Sequence, residues 1–444
     1  MSIDEEVRKF LAGRKCCIRK DGDLAEVDIG TAIDAVKRGE KVLGSIEVEN
    51  SRATPALAIE FEAEVVRVAF SALKMIVEFV KKNLGLDRSL YVVISKNLFE
   101  IRVVEQAIPE DFFMRFGLRE GASLVVQYTL KKLRDKLYKI CLFTGGRIRF
   151  IDRSIEGFII APFVRIDNTL TRFVKPEALD TVSVSLGKPI ALDHDSAWCL
   201  FSEDEGHRVA EVVSREAEKG VLKPFEIRSI ESRRIDRVHL PKVIGRFEVM
   251  ALLQAARYYL LTGDLEKAKS FGLNRAIFYA YLKYHGREAG RSRIYMYRKS
   301  ETQESEDSMG RTHRQMVVED EVQISPRGWF VMGDQEQLPE DFDRQIRTKF
   351  DAVLPFDLVW HLAIDYVKRF PENIIRNPNR FFKYVYEPVR DSFFERVVIG
   401  EGLEELVSNV VKQMLRTVEG KRSGHEGRAP PITRLTAFMK KNSQ

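Results

Sequence analysis

The stretch TPALAIEFEAE, residues 54–64, decides the fold class of this 444-residue chain, because its strand pattern leads directly into a long helix. Apolar residues at helical spacing predict that helix from about residue 65 to 83, with Gly85 as its C-cap. Next, SLYVVISKNLFEIRVVE (89–105) predicts two strands joined by a turn at Lys96–Asn97. A helical segment at 110–140 and the strand RIRFIDRS (147–154) follow. This alternation predicts a mixed α/β domain.

The second half of the sequence predicts mainly helices. After Pro241 the apolar residues recur at helical spacing, and the same pattern returns between 339 and about 419. Residues 286–328 between them are polar and predict a loop. GKRSGHEGRAPP (420–431) has the composition of a linker, and a short amphipathic tail follows it. We therefore expect an α+β protein with a mixed α/β domain at 1–240, an all-α helical domain at 241–419 and a flexible tail at 420–444.

Composition excludes several classes of protein. Hydrophobic residues make up 44% of the chain, too many for a disordered protein. The charge of +6, from 72 Lys and Arg against 66 Asp and Glu, does not by itself identify a nucleic-acid binder. Four cysteines without a CxxC pair argue against structural zinc, an iron–sulfur cluster and a disulfide framework. With no signal-peptide core and no apolar run of about 20 residues, we expect a cytoplasmic protein without a membrane partner.

Two carboxylates stand two residues apart on the first predicted strand. Glu60 and Glu62 should share one face, because side chains alternate along a strand. Such a pair can hold a divalent cation such as Mg²⁺, which prefers oxygen ligands. The pattern is equally that of the solvated face of an edge strand, and that alternative stays open.

The order of these features resembles the catalytic subunit of archaeo-eukaryotic primases and the related primase-polymerases. That family has a strand with two acids, a helix, an LG turn, a strand leading into SGxGxHhxh, a strand ending in Asp, and a basic segment. The matching stretches, within about residues 50–190, are LAIEFE, NLGL, YVVISKNLFEIRV, RFIDRS and APFVRIDNTLTRFVKP.

The resemblance implies a metal-dependent nucleotidyltransferase of DNA replication or repair. Its Mg²⁺ or Mn²⁺ ligands and catalytic residues would be Glu60, Glu62 and Asp152, which should converge on one metal cluster. Its nucleotide contacts would be Ser95, Lys96, Arg102, Arg165, Arg172 and Lys175. Without the resemblance, Ser95 and Lys96 fit a hairpin turn, Asp152 fits a local pair with Arg153, and the other basic residues fit ordinary surface charge.

Departures from the family pattern favour a second interpretation. Both acids of the first strand are Glu, both glycines of SGxGxHhxh are missing, and Glu100 stands where the family has His. A carboxylate there would repel a triphosphate. The chain is therefore either a diverged primase-polymerase or a catalytically inactive subunit that binds nucleic acid or scaffolds a replication complex, with other primase subunits as expected partners. A third alternative is an α+β protein whose resemblance to the family is accidental.

Three segments suggest partners. Basic and aromatic residues that suit single-stranded or primed DNA are Arg147, Arg149, Arg287, Arg291, Arg293, Tyr295 and Tyr297, although a solvated loop explains those after residue 286 equally well. The tail ITRLTAFM (432–439) resembles the sliding-clamp peptide QxxhxxFF. Its anchors would be Leu435, Phe438 and Met439.

Overall fold

The protein is built around a six-stranded antiparallel sheet, seen here in a computed structural model. The structure describes residues 2–20, 23–49, 51–166, 169–182, 184–186, 188, 190–234, 244–285, 303–306, 312–315 and 323–422. The strands are β1 Cys16–Lys20, β2 Asp23–Val27, β3 Lys41–Ser45, β4 Glu47–Val48, β5 Arg52–Ala53, β6 Ala56–Phe61, β7 Leu90–Ile94, β8 Leu98–Val103, β9 Ile148–Asp152, β10 Phe158–Ile160, β11 Arg165–Ile166, β12 Thr169–Leu170, β13 Arg172–Val174, β14 Ser229–Ile230, β15 Gln303–Glu306, β16 Thr312–Gln315, β17 Gln323–Ile324, β18 Phe330–Met332 and β19 Gln335–Glu336.

The α-helices are α1 Ile3–Leu11, α2 Ile29–Lys37, α3 Val66–Leu84, α4 Glu110–Phe116, α5 Leu118–Phe143, α6 Glu203–Glu218, α7 Arg246–Thr262, α8 Leu265–His285, α9 Pro339–Phe342, α10 Thr348–Val353, α11 Phe356–Lys368, α12 Glu372–Ile375, α13 Pro378–Phe381 and α14 Leu403–Arg422. Short 3-10 helices cover Ala63–Val65, Glu105–Ala107, Arg153–Ile155 and Pro176–Thr181, and π-helical turns cover Asp343–Arg347, Phe382–Tyr386 and Phe394–Ile399. No helix in the described ranges is long and apolar enough to cross a bilayer.

The central sheet has the order β13-β7-β8-β6-β9-β14. Its core is the predicted sequence of strand, helix and hairpin, and α3 ends as predicted at Gly85, which has a left-handed φ of 67°. One face of the sheet packs against α3 and α5, with Phe70 of α3 touching Phe99 of β8. The other face is covered by α1 and by a second sheet of order β10-β3-β1-β2, where the ring of Phe10 lies 5.4 Å from that of Phe173. The α+β class is therefore confirmed.

The second half of the chain is mainly helical but not entirely so. It contains the small sheet β17-β18-β19 between α8 and α9, where an all-α domain was expected. The chain divides into two compact units, Met1–Glu401 and Gly402–Gln444. The α/β half and the helices up to the last π-helical turn thus belong to one unit, and the division into domains at 1–240 and 241–419 stays a prediction. The predicted loop at 286–328 lies mostly outside the described residues.

Candidate functional site

The predicted metal ligands Glu60 and Glu62 lie at the end of β6, and arginines hold both. Glu60 pairs with Arg149 at 2.5 Å and with Arg153 at 2.8 Å, one guanidinium on each carboxylate oxygen. Glu62 follows the strand and pairs with Arg234 at 3.2 Å and Arg147 at 3.8 Å. The register of β6 and β9 explains the first contact, because Glu60 lies directly opposite Arg149. The predicted nucleic-acid contacts Arg147 and Arg149 thus face carboxylates instead.

Arg153 is the centre of a buried charged cluster, called here the Arg153 cluster. Its guanidinium binds three carboxylates, those of Glu60 at 2.8 Å, Glu100 at 3.3 Å and Glu156 at 2.7 Å. Burial opposes the charge on Arg153, but these carboxylates outweigh it and hold its pKa above the usual value. An internal cation therefore lies where carboxylates converge.

Glu100 is the most deeply buried acid of this cluster, with a side chain 1% exposed. It also accepts a hydrogen bond from Arg102 Nε at 2.8 Å. Burial alone would raise the pKa of Glu100, yet Arg102 and Arg153 outweigh it and the pKa lies below its usual value. Glu100 is thus an ionised residue of the interior, not a group that faces a ligand.

The third predicted ligand, Asp152, lies apart from Glu60. It ends β9 as expected, but it is opposite Leu57, three residues before Glu60 on β6. Because side chains alternate across a sheet, Asp152 and Glu60 point to opposite faces, and three residues separate them by about 10 Å along the strand. Asp152 is fully buried, where it accepts hydrogen bonds from Ser123 at 2.6 Å and Gln127 at 3.0 Å. Burial raises its pKa.

These positions do not fit a divalent-metal centre formed by Glu60, Glu62 and Asp152. Guanidinium groups bind both carboxylate oxygens of Glu60, and Glu62 is paired with Arg234. Asp152 lies on the opposite face of the central sheet. Within the described part of the chain, no group of three or more His, Cys, Asp or Glu residues is placed to hold a metal ion. The expected convergence of the three carboxylates is therefore wrong, and Mg²⁺ or Mn²⁺ as a cofactor stays a prediction without support from these residues.

A basic pocket at the β7–β8 hairpin brings together three of the predicted nucleotide contacts. It has a volume of about 500 Å³, and its polar wall consists of Ser95, Lys96, Thr169, Arg172 and Lys188. The β7–β13 pairing explains the arrangement, because Arg172 lies opposite Ile94, the residue before Ser95. No acidic residue is found among the described residues that line the pocket.

The walls of the basic pocket suit an anion that also has an apolar part. Lys96 and Lys188 are exposed, and among the described residues Arg172 forms an ion pair only with the fully exposed Asp193, at 3.3 Å. Ser95 is 2% exposed and its hydroxyl has no hydrogen-bond partner among the described groups. Val66, at the start of α3, lines the same pocket. The positive end of the helix dipole adds to the basic charge there.

The other apolar side chains of the pocket are Ala63, Ile94, Leu170, Ile190 and Ala191.

The remaining predicted nucleotide contacts lie elsewhere. Arg102 is fully buried and donates to the carbonyl of Ile160 at 3.0 Å. Lys175 donates to the carbonyls of Leu200, at 2.8 Å, and Arg88, and burial lowers its pKa. Arg165 is exposed on β11 but does not line the basic pocket. The structure therefore brings Ser95, Lys96 and Arg172 together in one pocket and places the other three elsewhere, and the role of all six as nucleotide contacts stays a prediction.

Some predicted residues lie outside the described part of the chain: Arg287, Arg291, Arg293, Tyr295, Tyr297, Leu435, Phe438 and Met439. Conversely, sequence reasoning missed the role of Arg153 as a shared cation and the place of Lys188 in the pocket. The sequence offered Arg153 only as a local partner of the adjacent Asp152, whereas Asp152 Oδ1 accepts a hydrogen bond from the main-chain N–H of Ser154 at 2.9 Å. The contact of Arg153 with Glu60 and Glu100 depends on three separate strands and gives no local signal.

The chain matches no family model, no curated protein and no solved structure.

Proposed function

We propose that this chain is a nucleotide- and nucleic-acid-binding protein that does not transfer nucleotidyl groups at Glu60, Glu62 and Asp152. The observation that supports the proposal is the basic pocket: its described lining has three cations and no carboxylate, and the hydroxyl of Ser95 has no partner among the described groups. Phosphate groups suit the cationic side, and charge-assisted hydrogen bonds there are strong. The apolar side suits the base or sugar of the same ligand. A volume of about 500 Å³ is within the usual range of ligand sites.

The Arg153 cluster supports binding that needs no divalent cation. In a metal-dependent site, carboxylates recruit metal ions that then neutralise the triphosphate. Here Arg149 and Arg153 already neutralise Glu60. We therefore propose that the cations of the basic pocket, Lys96, Arg172 and Lys188, bind the phosphates directly.

The test is binding of a fluorescent ATP analogue, measured by anisotropy, with either Mg²⁺ or EDTA present. We expect equal affinity in both. Lys96→Gln/Lys188→Gln should bind about a hundredfold more weakly, because each of the two lost charge-assisted contacts contributes about 1.5 kcal/mol. Lys15→Gln/Lys223→Gln removes two exposed lysines outside the pocket and should bind normally. Equal affinity of both double variants for the analogue would exclude the basic pocket as the nucleotide site.

Ser95→Ala separates a binding role from a structural one. Because the Ser95 hydroxyl has no partner within the described chain, its removal should not lower the free energy of unfolding. It should weaken nucleotide binding several-fold if the hydroxyl contacts a phosphate. Loss of stability without loss of binding would contradict this assignment.

The rival function is template-directed nucleotidyl transfer, as in active primases. Incorporation of labelled nucleotides on single-stranded and primed DNA, with Mg²⁺ or Mn²⁺, distinguishes the two. We expect no incorporation above background. Nucleotide incorporation by the wild type that disappears in Glu60→Gln would establish nucleotidyl transfer as the function. Association with a sliding clamp or with other primase subunits stays a prediction, to be tested by co-purification of the full chain with each candidate.

A further inference from the structure

A groove between α3 and α11, called here the α3–α11 groove, is a second large cavity, of about 960 Å³. Its walls include Lys74 to Asn83 of α3, Asp357 to Lys368 of α11, and Tyr259 near the end of α7. It is separate from the basic pocket. Val66 and Lys82 are sixteen residues apart on α3, about 24 Å at the helical rise.

Lysine or arginine compensates three of the four acidic residues of the groove: Asp180 pairs with Lys74 at 3.4 Å, Asp357 with Lys136 at 2.6 Å, and Asp365 with Arg67 at 3.2 Å. The fourth, Glu78, contacts His361 Nε2 at 2.9 Å, an ion pair only when the imidazole is protonated. Two exposed lysines of the groove, Lys82 on α3 and Lys368 on α11, have no carboxylate partner in the described chain. Each of the two main walls therefore carries one lysine that can bind a phosphate.

Aromatic groups line the same groove as these lysines. The rings of Tyr259 and Trp360 are 5.6 Å apart and both are half-buried, and Phe79 lines the same groove. His361 turns Nε2 to Glu78, and its other ring nitrogen, Nδ1, is buried without a partner among the described groups. The groove thus presents ring faces and one unsatisfied polar atom together with cations.

We infer that the α3–α11 groove binds a short stretch of single-stranded nucleic acid. Lys82 and Lys368 would contact phosphates, Trp360 and Tyr259 would stack on bases, and His361 Nδ1 would form a hydrogen bond with a base or sugar group. Stacking platforms combined with a cationic track are the usual means of binding a single strand without sequence preference. The inference does not depend on the basic pocket, which lies at the other end of α3.

The experiment uses the full chain and a fluorescein-labelled 15-nucleotide oligo(dT), titrated by anisotropy at several KCl concentrations. We expect Lys82→Gln/Lys368→Gln to reduce the slope of log K against log[salt] by about 1.4, since each phosphate contact to a single strand contributes about 0.7. Lys15→Gln/Lys223→Gln makes the same charge change outside the groove and should leave the slope unchanged.

Tryptophan fluorescence shows where the strand binds, because Trp360 is one of only three tryptophans. Oligo(dT) should quench the emission, and the quenching should be lost in Trp360→Phe. The pocket variant Lys96→Gln/Lys188→Gln should bind the ATP analogue weakly, but oligo(dT) should still quench its tryptophan emission. The two measurements therefore test nucleotide binding in the basic pocket and single-strand binding in the α3–α11 groove separately.

Three results would overturn the inference: equal salt slopes in the two lysine double variants, quenching that persists in Trp360→Phe, or quenching that is lost in the pocket variant. Equal quenching by a poly-glutamate peptide at the same salt concentration would assign the groove to acidic peptides instead.

Discussion

Removing the Arg153 side chain tests the central electrostatic claim about this fold. In Arg153→Met, the carboxylate of Glu100, which is 1% exposed, keeps Arg102 as its one ion-pair partner among the described residues. Breaking a buried ion pair by removing one partner costs about 3–5 kcal/mol, because a desolvated charge is left behind. Since Arg102 still compensates Glu100, we expect the lower end, about 3 kcal/mol. Glu156 is half-exposed, and its loss of Arg153 adds less than about 1 kcal/mol.

The assay is urea denaturation followed by circular dichroism, and Arg149→Met is the matched control. Arg149 also binds Glu60 but is 51% exposed. Its removal should therefore cost less than about 1 kcal/mol. A double-mutant cycle with Glu100→Gln should show the two losses to be non-additive by more than about 1 kcal/mol, as expected for contacting residues.

The pH dependence gives the sharpest check. Because the folded-state pKa of Glu100 lies below its unfolded value, its stabilisation is present above about pH 4.3 and is lost as pH falls through the lower, folded pKa. Arg153→Met should therefore lower the free energy of unfolding most at pH 7, and the difference from the wild type should become smaller in acid. If Arg153→Met loses no more stability than Arg149→Met, or if its loss does not change with pH, then Arg153 does not stabilise the ionised Glu100.

Three other changes have clear expected outcomes. Burial raises the pKa of Asp152, so the folded chain loses stability when this carboxyl ionises. As the pH rises above about 4, the free energy of unfolding of the wild type should therefore fall relative to that of Asp152→Asn, which does not titrate. Urea denaturation at several pH values checks this, and a rise of the wild type relative to the variant would contradict it. Gly206→Ala would place a methyl group 1.7 Å from the carbonyl oxygen of Ala107 and should lower the free energy of unfolding by several kcal/mol. Gly220→Ala is the control, because Gly220 has a φ of 69° but open space around it, and the loss there should be about 1 kcal/mol. Thermal denaturation measures both. Arg67→Met should cost about 3 kcal/mol in urea, because the buried guanidinium of Arg67 donates to two main-chain carbonyls, and a loss under 1 kcal/mol would show that the carbonyls find other donors.

The local order of the central sheet could be predicted from the sequence. The periodicity of apolar residues predicted α3 and the β7–β8 hairpin, and Gly85 ends the helix where a left-handed residue is needed. Both are properties of neighbouring residues, so the sequence contains them directly. The small sheet β17-β18-β19 was not predicted, because its strands are only two or three residues long and lie in a polar region.

The candidate site was only partly predictable. Ser95 and Lys96 are adjacent in sequence, and Arg172 joins them through the pairing of β13 with β7. Lys188, which belongs to no described helix or strand, lines the same pocket. Its place could not be predicted, because no periodic pattern fixes the position of a residue outside the helices and strands.

The sequence by itself determined which residues are charged and on which strands they lie; the tertiary structure decided which of these charges meet. Glu60, Glu100 and Arg153 come from three strand regions, and only the antiparallel register of β6, β8 and β9 brings them together. The same register sends Asp152 to the opposite face, since a shift of three positions along a strand reverses the direction of a side chain. A carboxylate pattern that resembles a metal site in the sequence is therefore a buried arginine-centred ion cluster in the folded chain.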